Sequence, residues 1–371
     1  MGVCAQQSYQ SSQKKSYKVR VLLAQTVPDN GFNWHIKASD GVVFIDPEHP
    51  AHKLMYKNNN LNVTYKDGHW LINNKKFKTS KVCIVPQKNH LDFNDNSYAG
   101  ALLLTCQDQK LYLINIVDLE QYVYCVLRTE SWPGWPLEVN KVFAIACRTY
   151  ALHMITNYQL KKVPYHIKNS NVHQTYKGMH ARNDLKQAVD ETHGIFLAHN
   201  NKPIIAMFDI CCGGIIPSFM QGIDFIKAPY LARDYACIHC KRCKVFNWKA
   251  QYSLDQLEKI LKQEIQPLKR LKSVKINKKD KASLIQELMV VGSSGWHSLP
   301  IKKMYSLLKD SIKSYSFSVA VQGKNVIFSG NGFGHHLGMC QWGAREMIRD
   351  GWKYDQVLNF YYPGTRFMRL N

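Results

Sequence analysis

The sequence predicts an α+β fold, with a β-rich N-terminal lobe followed by a core that contains helices. Short apolar runs separated by turn residues dominate the chain as far as residue 117. Beyond that point, apolar residues recur at three- and four-residue spacing in several segments, which is the periodicity of an amphipathic helix. With 371 residues, the chain is long enough for one large domain or two smaller ones.

The N-terminal part divides into a tail and a lobe of strands. Residues 1–16 are polar and basic, and we predict that they are disordered. Residues 17–117 contain short runs rich in β-branched and aromatic residues, and turn signals such as Asp67-Gly68 separate them. The predicted strands of this lobe include residues 19–25, 41–45, 62–65, 69–72, 82–85 and 101–105.

Residues 123–157 are the most informative stretch of the chain. We predict a strand that ends at Thr129, then Glu130 in a loop with Trp132 and Trp135, then a helix over residues 136–157. Pro136 suits the first turn of that helix, where a missing N–H is no loss. One apolar face of the helix is predicted from Val139, Val142, Phe143, Ala146, Tyr150 and Met154.

Glu130 is a candidate general acid. An apolar setting raises the pKa of a carboxyl group because charge is costly there, and a raised pKa suits proton donation near neutral pH. Flat indole faces beside a carboxyl group also suit sugar rings. The alternative is an exposed loop glutamate, with Trp132 and Trp135 serving only as core anchors.

The C-terminal part alternates helices, strands and glycine-rich turns. The predicted elements are a helix over residues 181–193, a strand over 203–209, a basic amphipathic helical region over 249–271, a strand plus turn over 272–284, and helices over 341–350 and 354–360. Glycines at positions 330, 332, 334 and 338 form a turn that could bring His335, Gln341 and Trp342 to a cleft. The alternative is a purely structural turn.

Eleven cysteines make a complete set of internal disulfides impossible. Cys83, Cys106, Cys125 and Cys147 lie in apolar runs and are interpreted as small buried hydrophobic residues. Cys237-x-x-Cys240-x-x-Cys243 has the spacing of metal ligands, and His239, Cys211 or Cys212 could complete a tetrahedral site. The candidate ligands of a structural zinc ion are Cys212, Cys237, Cys240 and Cys243, with disulfides or free thiols as the alternatives.

Lys and Arg number 49 against 27 Asp and Glu, so the net charge is +22. Such a charge favours an anionic partner, of which nucleic acid, anionic lipid and bacterial wall polymer are the candidates, or it reflects only a lysine-rich surface. The chain lacks a basic-aromatic reader motif, so we do not expect nucleic-acid binding. No run approaches 18 apolar residues, and residues 1–18 lack the apolar segment of a secretory signal.

Two long motifs resemble the SpoIID/LytB family, which comprises stage II sporulation protein D and amidase enhancers. The first runs through Leu119-Glu120-x-Tyr122, Glu130-Ser-Trp-Pro-x-Trp-Pro and Ala146-Cys-Arg-Thr-Tyr-Ala-Leu. The second is Gly330-Asn-Gly-Phe-Gly-His-His-Leu-Gly-Met-Cys-Gln-Trp-Gly-Ala, and Asn359-Phe-Tyr-Tyr-Pro-Gly-Thr follows it. This copy has His336 in place of the usual glycine and Cys340 in place of the usual serine.

The resemblance implies that residues 118–371 form a catalytic core with a substrate groove. It implies a lytic transglycosylase that cuts the MurNAc–GlcNAc bond of peptidoglycan, on strands stripped of peptides, and leaves 1,6-anhydro-MurNAc ends. Glu130 would be the single acid/base, with Arg148 and Lys313 as further catalytic residues. The substrate-binding residues would be Trp132, Trp135, Tyr150, His335, Gln341 and Trp342.

The same resemblance leaves a second function open. The amidase-enhancer branch implies a non-catalytic module that binds the cell wall and assists a cell-wall amidase. For either function the expected partners are glycan strands, or glycan strands and an amidase, and the expected location is the cell envelope.

Overall fold

The computed structural model describes residues 16–28, 31–158 and 162–370, so the predicted tail of residues 1–16 lies outside the described residues except at its last position. The described part has seven α-helices and twenty-four β-strands, and the predicted α+β class is confirmed. The chain divides into two compact units. The first takes its residues from 1–131, 154–196 and 369–371, and the second from 132–153 and 197–368.

The first unit contains the β-rich lobe. Its strands are β1 (Lys18–Thr26), β2 (Trp34–Ala38), β3 (Val42–Ile45), β4 (Lys53–Tyr56), β5 (Asn60–Lys66), β6 (His69–Ile72), β7 (Lys75–Phe77), β8 (Lys81–Pro86), β9 (Leu91–Phe93), β10 (Asn96–Tyr98), β11 (Ala101–Gln107), β12 (Lys110–Asp118) and β13 (Ile167–Lys168). They form a seven-stranded sheet in the order β13-β1-β12-β11-β8-β3-β4 and a six-stranded sheet in the order β10-β9-β2-β5-β6-β7. All the strands predicted for this lobe are present.

The prediction of a strand that ends at Thr129 is wrong, because these residues belong to helix α1 (Leu119–Glu130). The buried residues of the helix are Leu119, Tyr122, Val123, Cys125, Val126 and Leu127, most of them at three- and four-residue spacing. Asp118 caps the helix by accepting a hydrogen bond from the backbone N–H of Glu120. A short buried helix and a buried strand have similar apolar runs in the sequence. The Asp118 cap is the local feature that marks this run as a helix. The unit also contains α3 (Asn183–Glu191), as predicted.

The second unit contains most of the remaining elements. Its helices are α2 (Leu137–Thr156, as far as residue 153), α4 (Leu254–Leu261), α5 (Ile301–Leu307), α6 (Gln341–Arg349) and α7 (Tyr354–Tyr361). Its strands are β14 (Ile195–His199, from residue 197), β15 (Lys202–Pro203), β16 (Phe208–Asp209), β17 (Asn247–Ser253), β18 (Ser273–Lys279), β19 (Ile285–Gly292), β20 (Gly295–Pro300), β21 (Phe317–Gln322), β22 (Asn325–Asn331), β23 (Met339–Cys340) and β24 (Arg366–Arg369, as far as residue 368).

Two predictions for this part of the chain need correction. The strand predicted over residues 203–209 exists only at its two ends, as β15 and β16. The basic helical region predicted over 249–271 begins with β17, which pairs with β22 from Asn247–Asn331 to Ser253–Asn325. Its helical part is limited to α4, where Ser253 and Gln256 form a capping box. The predicted α2, β18, α6 and α7 are confirmed.

The core around α4 is built from buried side chains that include Leu257, Leu261, Leu288 and Phe328. Strands β17, β22 and β21 form one three-stranded sheet, and β18, β19 and β20 form another. Among the described residues, no helix is both long enough and apolar enough to cross a lipid bilayer.

Candidate functional site

Glu130 is the last residue of α1, in the first unit, and its side chain is half-buried. Its Oε1 accepts a hydrogen bond of 2.9 Å from the backbone N–H of Thr175. The hydroxyl group of Thr129 donates to the carbonyl oxygen of Thr175, so the end of α1 is held to this segment by two hydrogen bonds. Burial raises the pKa of Glu130, and the Thr175 hydrogen bond only partly opposes this. A carboxyl group of this kind can donate a proton near neutral pH.

The raised pKa has a consequence for stability. Between the ordinary carboxyl pKa and the higher pKa of folded Glu130, the folded state binds more protons than the unfolded state, so stability falls as the pH rises through this window. We expect Glu130→Gln to be more stable than wild type at neutral pH by about 1 kcal/mol, and the gain should vanish in acid. Urea unfolding across the pH range measures this, and a gain that persists unchanged at low pH would contradict it.

Three tryptophans of the second unit form an aromatic cluster, named here the tryptophan cluster (Trp132, Trp135 and Trp342). Their ring centroids lie 6.2 Å apart for Trp132–Trp135, 5.8 Å for Trp132–Trp342 and 5.6 Å for Trp135–Trp342. Trp135 is buried, whereas Trp132 is 37% exposed. The ammonium nitrogen of Lys244 lies 5.8 Å from the Trp132 ring centroid and 6.0 Å from that of Trp342. The cluster therefore has an exposed aromatic face beside a cation.

The glycine-rich turn packs tightly on residues 207–212. A Cβ on Gly338 would lie 1.9 Å from the carbonyl oxygen of Met207, and Gly338 has a φ of +71°. Phe333 and Cys211 exchange two backbone hydrogen bonds, of 3.0 and 2.7 Å. Both observations support the structural interpretation of this turn. Of the two polar residues predicted to reach a cleft, His335 is exposed and Gln341 is buried in the first turn of α6.

The structure places Lys313 beside the glycine-rich turn. Its ammonium nitrogen lies 5.2 Å from the ring centroid of Phe333 and donates to the carbonyl oxygen of Asp310 at 2.6 Å. The carbonyl oxygen of Lys313 also accepts a hydrogen bond from the backbone N–H of Gly334 at 3.0 Å. Lys313 therefore contacts the glycine-rich turn through both its side chain and its backbone.

The other two predicted residues lie on α2. The guanidinium group of Arg148 is fully buried, and Nη1 donates to the carbonyl oxygen of Ala144 at 3.4 Å. Tyr150 is half-buried, and burial raises its pKa to about 12, so its hydroxyl group stays protonated at neutral pH. Arg148 therefore contacts the backbone of its own helix, whereas Tyr150 keeps a partly exposed side chain.

The second unit also contains a group of buried thiols whose four sulfur atoms all lie within 4.8 Å of one another. This tetracysteine group consists of Cys212, Cys237, Cys240 and Cys340. It differs from the predicted set at one position, because the sulfur of Cys243 lies 3.7 Å from that of Cys211 instead. The candidate ligand that the sequence analysis missed is Cys340, and the signal that could have found it is its replacement of the serine usual in the motif.

Backbone structure explains how these thiols meet. Cys237 precedes a 3₁₀ turn over His239–Arg242, Cys240 lies within it and Cys243 follows it. The sulfur of Cys340 caps α6 and accepts hydrogen bonds from the backbone N–H groups of Gly343 at 3.2 Å and Cys212 at 3.3 Å.

The group fits the geometry of a tetrahedral metal ion. Tetrahedral zinc with Zn–S bonds of about 2.3 Å separates its sulfur ligands by roughly 3.8 Å. The sulfur atoms of Cys212 and Cys240 are 3.7 Å apart. The hydroxyl group of Tyr361 lies 3.1 Å from the sulfur of Cys237 and supplies an outer contact of the kind that orients metal ligands. The tetracysteine group can therefore hold a metal ion.

Gly343 leaves room for this arrangement. A Cβ at this position would lie 2.1 Å from the Tyr361 hydroxyl oxygen and 2.8 Å from the sulfur of Cys237. We expect Gly343→Ala to lower zinc affinity by 10- to 100-fold, the usual cost of disturbing outer contacts. Competition with a chromophoric chelator measures the affinity. Adding Tyr361→Phe should recover part of the loss because it removes the closer clash, and no recovery would contradict this explanation.

Comparison with known proteins identifies two matching families. Residues 107–199 match the family model SpoIID, described as stage II sporulation protein. Residues 231–338 match a domain of unknown function, DUF8618. The resemblance predicted from the motifs is thereby confirmed, and Glu130 lies inside the first match. Cys237, Cys240 and Cys243 lie inside the second, and Cys212 lies in neither.

Three relatives extend this comparison. An uncharacterized protein of Brachyspira hyodysenteriae is 28% identical over 281 residues, which cover 75% of this chain and 74% of the relative. Stage II sporulation protein D of Bacillus subtilis is 23% identical over 273 residues, covering 67% and 74%. The amidase enhancer of Bacillus subtilis is 22% identical over 284 residues, covering 65% of this chain but only 39% of that protein.

Proposed function

Because residues 107–199 match the SpoIID family model, we propose that this chain is a peptidoglycan lytic transglycosylase with Glu130 as its acid/base. The observation that carries the proposal is the half-buried Glu130 carboxyl group, whose pKa burial raises, at the position where the family motif has its catalytic glutamate. The proposed substrate is the glycan strand of peptidoglycan, stripped of its peptides.

The proposed reaction needs only one carboxyl group. Protonated Glu130 gives its proton to the glycosidic oxygen as the bond from that oxygen to C1 of MurNAc breaks. The C6 hydroxyl of the same sugar attacks C1 and returns a proton to Glu130, so a 1,6-anhydro ring forms and no water is consumed. Most glycosidases use a second carboxylate as nucleophile or base, but the internal hydroxyl replaces it in the proposed reaction.

The other predicted catalytic residues take supporting parts in this proposal. Lys313 offers a positive charge that can orient a carboxylate of the substrate. Arg148 is fully buried, so we assign it a positioning role in α2 and no contact with the sugar.

Product analysis tests the proposal directly. The full chain is incubated with peptide-free glycan strands, and the new ends are identified by mass spectrometry. The expected ends are 1,6-anhydro-MurNAc, lighter than hydrolytic ends by one water molecule, and they should contain no ¹⁸O when the reaction is run in ¹⁸O-labelled water. Hydrolytic ends, or no new ends at all, would overturn the proposal.

A second candidate function is an amidase enhancer without catalytic activity, which the relative of that name supports. In that case the chain would release no anhydro ends, but it would increase peptide release by a purified cell-wall amidase. The same glycan preparation, with its peptides left in place, serves for this assay.

The tryptophan cluster is the proposed platform for the glycan. Trp132 is 37% exposed, so its removal should leave the fold intact. We expect Trp132→Ala to weaken binding to insoluble peptidoglycan about tenfold, equivalent to about 1.4 kcal/mol. Trp296→Ala is the matched control, because Trp296 is 63% exposed in the same unit and belongs to no such cluster. Equal losses in the two variants would contradict the assignment.

Location and cofactor follow from the same proposal. We propose that the chain works in the cell envelope, where its net charge of +22 favours contact with anionic wall polymers. We also propose that the tetracysteine group holds a structural zinc ion, supported by the four sulfur atoms within 4.8 Å of one another.

A further inference from the structure

One positive charge at the tryptophan cluster has no anionic partner within the described part of the chain. The ammonium nitrogen of Lys244 lies 5.8 Å from the ring centroid of Trp132 and 6.0 Å from that of Trp342, within the range of a cation–π contact. Lys244 is exposed, and no described carboxylate pairs with it. The guanidinium carbon of Arg345 lies 5.5 Å from the Trp342 ring centroid, but Arg345 forms an ion pair with Glu346. Lys244 is therefore the cation that is available to a ligand on the cluster.

The backbone around Lys244 is fixed by hydrogen bonds on both sides. The backbone N–H of Cys243 donates to the carbonyl oxygen of Cys240 at 3.1 Å. The backbone N–H of Phe246 donates to the carbonyl oxygen of Cys243 at 3.0 Å, which closes a turn that contains Lys244. The carbonyl oxygen of Phe246 accepts a hydrogen bond of 2.7 Å from the backbone N–H of Gly332, so this turn is joined to the glycine-rich turn. The backbone of Lys244 is held in place, while its flexible four-carbon side chain can move the ammonium group towards a ligand.

Peptidoglycan offers one group that matches a cation beside a stacked sugar. A sugar ring that lies on an indole face directs its ring substituents past the edge of that face. The substituents of GlcNAc are neutral, whereas MurNAc carries a lactyl ether that ends in a carboxyl group. This group is a neutral amide while the peptide is attached and an anion once the peptide has been removed. A carboxylate on the sugar itself can form a charge-assisted hydrogen bond with an ammonium group at the edge of the cluster.

We propose that Lys244 binds the free lactyl carboxylate of a MurNAc residue whose ring lies on the tryptophan cluster. Lys244 is then a specificity-determining residue, because it favours strands from which the peptides have been removed. The inference rests on the proposed function for the identity of the glycan, but it requires no bond cleavage. Salt screens the attraction between exposed charges, so a rising salt concentration should reduce this preference.

Binding to a matched pair of glycans tests the proposal. Peptide-free strands are compared with the same strands after carbodiimide coupling to methylamine, which converts each lactyl carboxylate to a neutral methylamide. Full-length Glu130→Gln is used, so that the strands stay intact during titration calorimetry. We expect this protein to bind the carboxylate strands about tenfold more tightly than the methylamide strands, the order of one charge-assisted hydrogen bond. Equal affinity for the two glycans, or binding to neither, would overturn the proposal.

Adding Lys244→Met identifies the residue responsible. Methionine keeps an apolar stem but removes the charge, so affinity for the carboxylate strands should fall about tenfold and affinity for the methylamide strands should not change. Lys249→Met is the matched control, because Lys249 is an exposed lysine of the same unit that lies on β17, outside the tryptophan cluster. It should keep the full preference.

An unchanged preference in the Lys244→Met protein, or an equal loss of affinity for both glycans, would contradict the role of Lys244. Binding is measured without product formation. Wild type could therefore release 1,6-anhydro ends while Lys244 shows no preference, and the two failures are distinguishable.

Discussion

Glu130→Gln should lower the release of 1,6-anhydro ends from glycan strands by about 1000-fold, within the 10²- to 10⁴-fold range of general acid–base catalysis. Gln has nearly the size of Glu, and its amide oxygen can still accept the hydrogen bond that Thr175 donates to Glu130. The variant therefore keeps the end of α1 in place but has no proton to give to the glycosidic oxygen. Loss of activity would then report chemistry and not unfolding.

Glu48→Gln is the matched control, because Glu48 is an exposed glutamate of the same unit. It should retain full activity. The pH profile adds an independent check: the acid must be protonated, so wild-type activity should fall as the pH rises through the raised pKa of Glu130. Equal amounts of product from wild type and Glu130→Gln would contradict catalysis by this residue.

Sequence patterns predicted the fold where local signals were strong. The lobe strands alternate buried and exposed residues between turn signals, as in β2, and this period of two is visible in the sequence itself. Helix α2 could be predicted because its apolar pattern begins just after Pro136 and is too long for a strand, although residues 142–149 are buried on every side. Helix α1 is predicted as a strand because residues 122–127 form one continuous apolar run, which obscures the period of 3.6.

The candidate site could be predicted from the sequence only in part, because some of its contacts join segments that are far apart in the chain. The spacing of Cys237, Cys240 and Cys243 is a local signal, and it predicted a metal site. Cys340 takes the place of Cys243 in the tetracysteine group because of where α6 begins relative to the 3₁₀ turn. The spacing of cysteines along the chain does not predict this position. Likewise, the approach of Lys244 to Trp132 and Trp342 appears only in three dimensions.

Cys240→Ser should strongly destabilise the second unit, because it removes one of the four sulfurs of the tetracysteine group. The sulfur of Cys240 lies within 4.8 Å of those of Cys212, Cys237 and Cys340, so it connects three segments that are far apart in the chain. Structural zinc contributes about 10–16 kcal/mol of binding free energy in small zinc domains. Even a loss of about 4 kcal/mol would lower the melting temperature by roughly 8–16 °C in a unit of this size.

Calorimetry with and without a strong zinc chelator measures this effect. The chelator should lower the melting temperature of wild type and of Cys83→Ser, a control that alters a free, half-buried thiol of the first unit. It should leave Cys240→Ser nearly unchanged, because that variant has already lost its metal. Chelation should also alter tryptophan fluorescence, since Trp342 lies two residues after Cys340 and Lys244 follows Cys243 directly. If the chelator left both melting and fluorescence of wild type unchanged, the thiols would hold the second unit together without metal, and the tryptophan cluster would not depend on it.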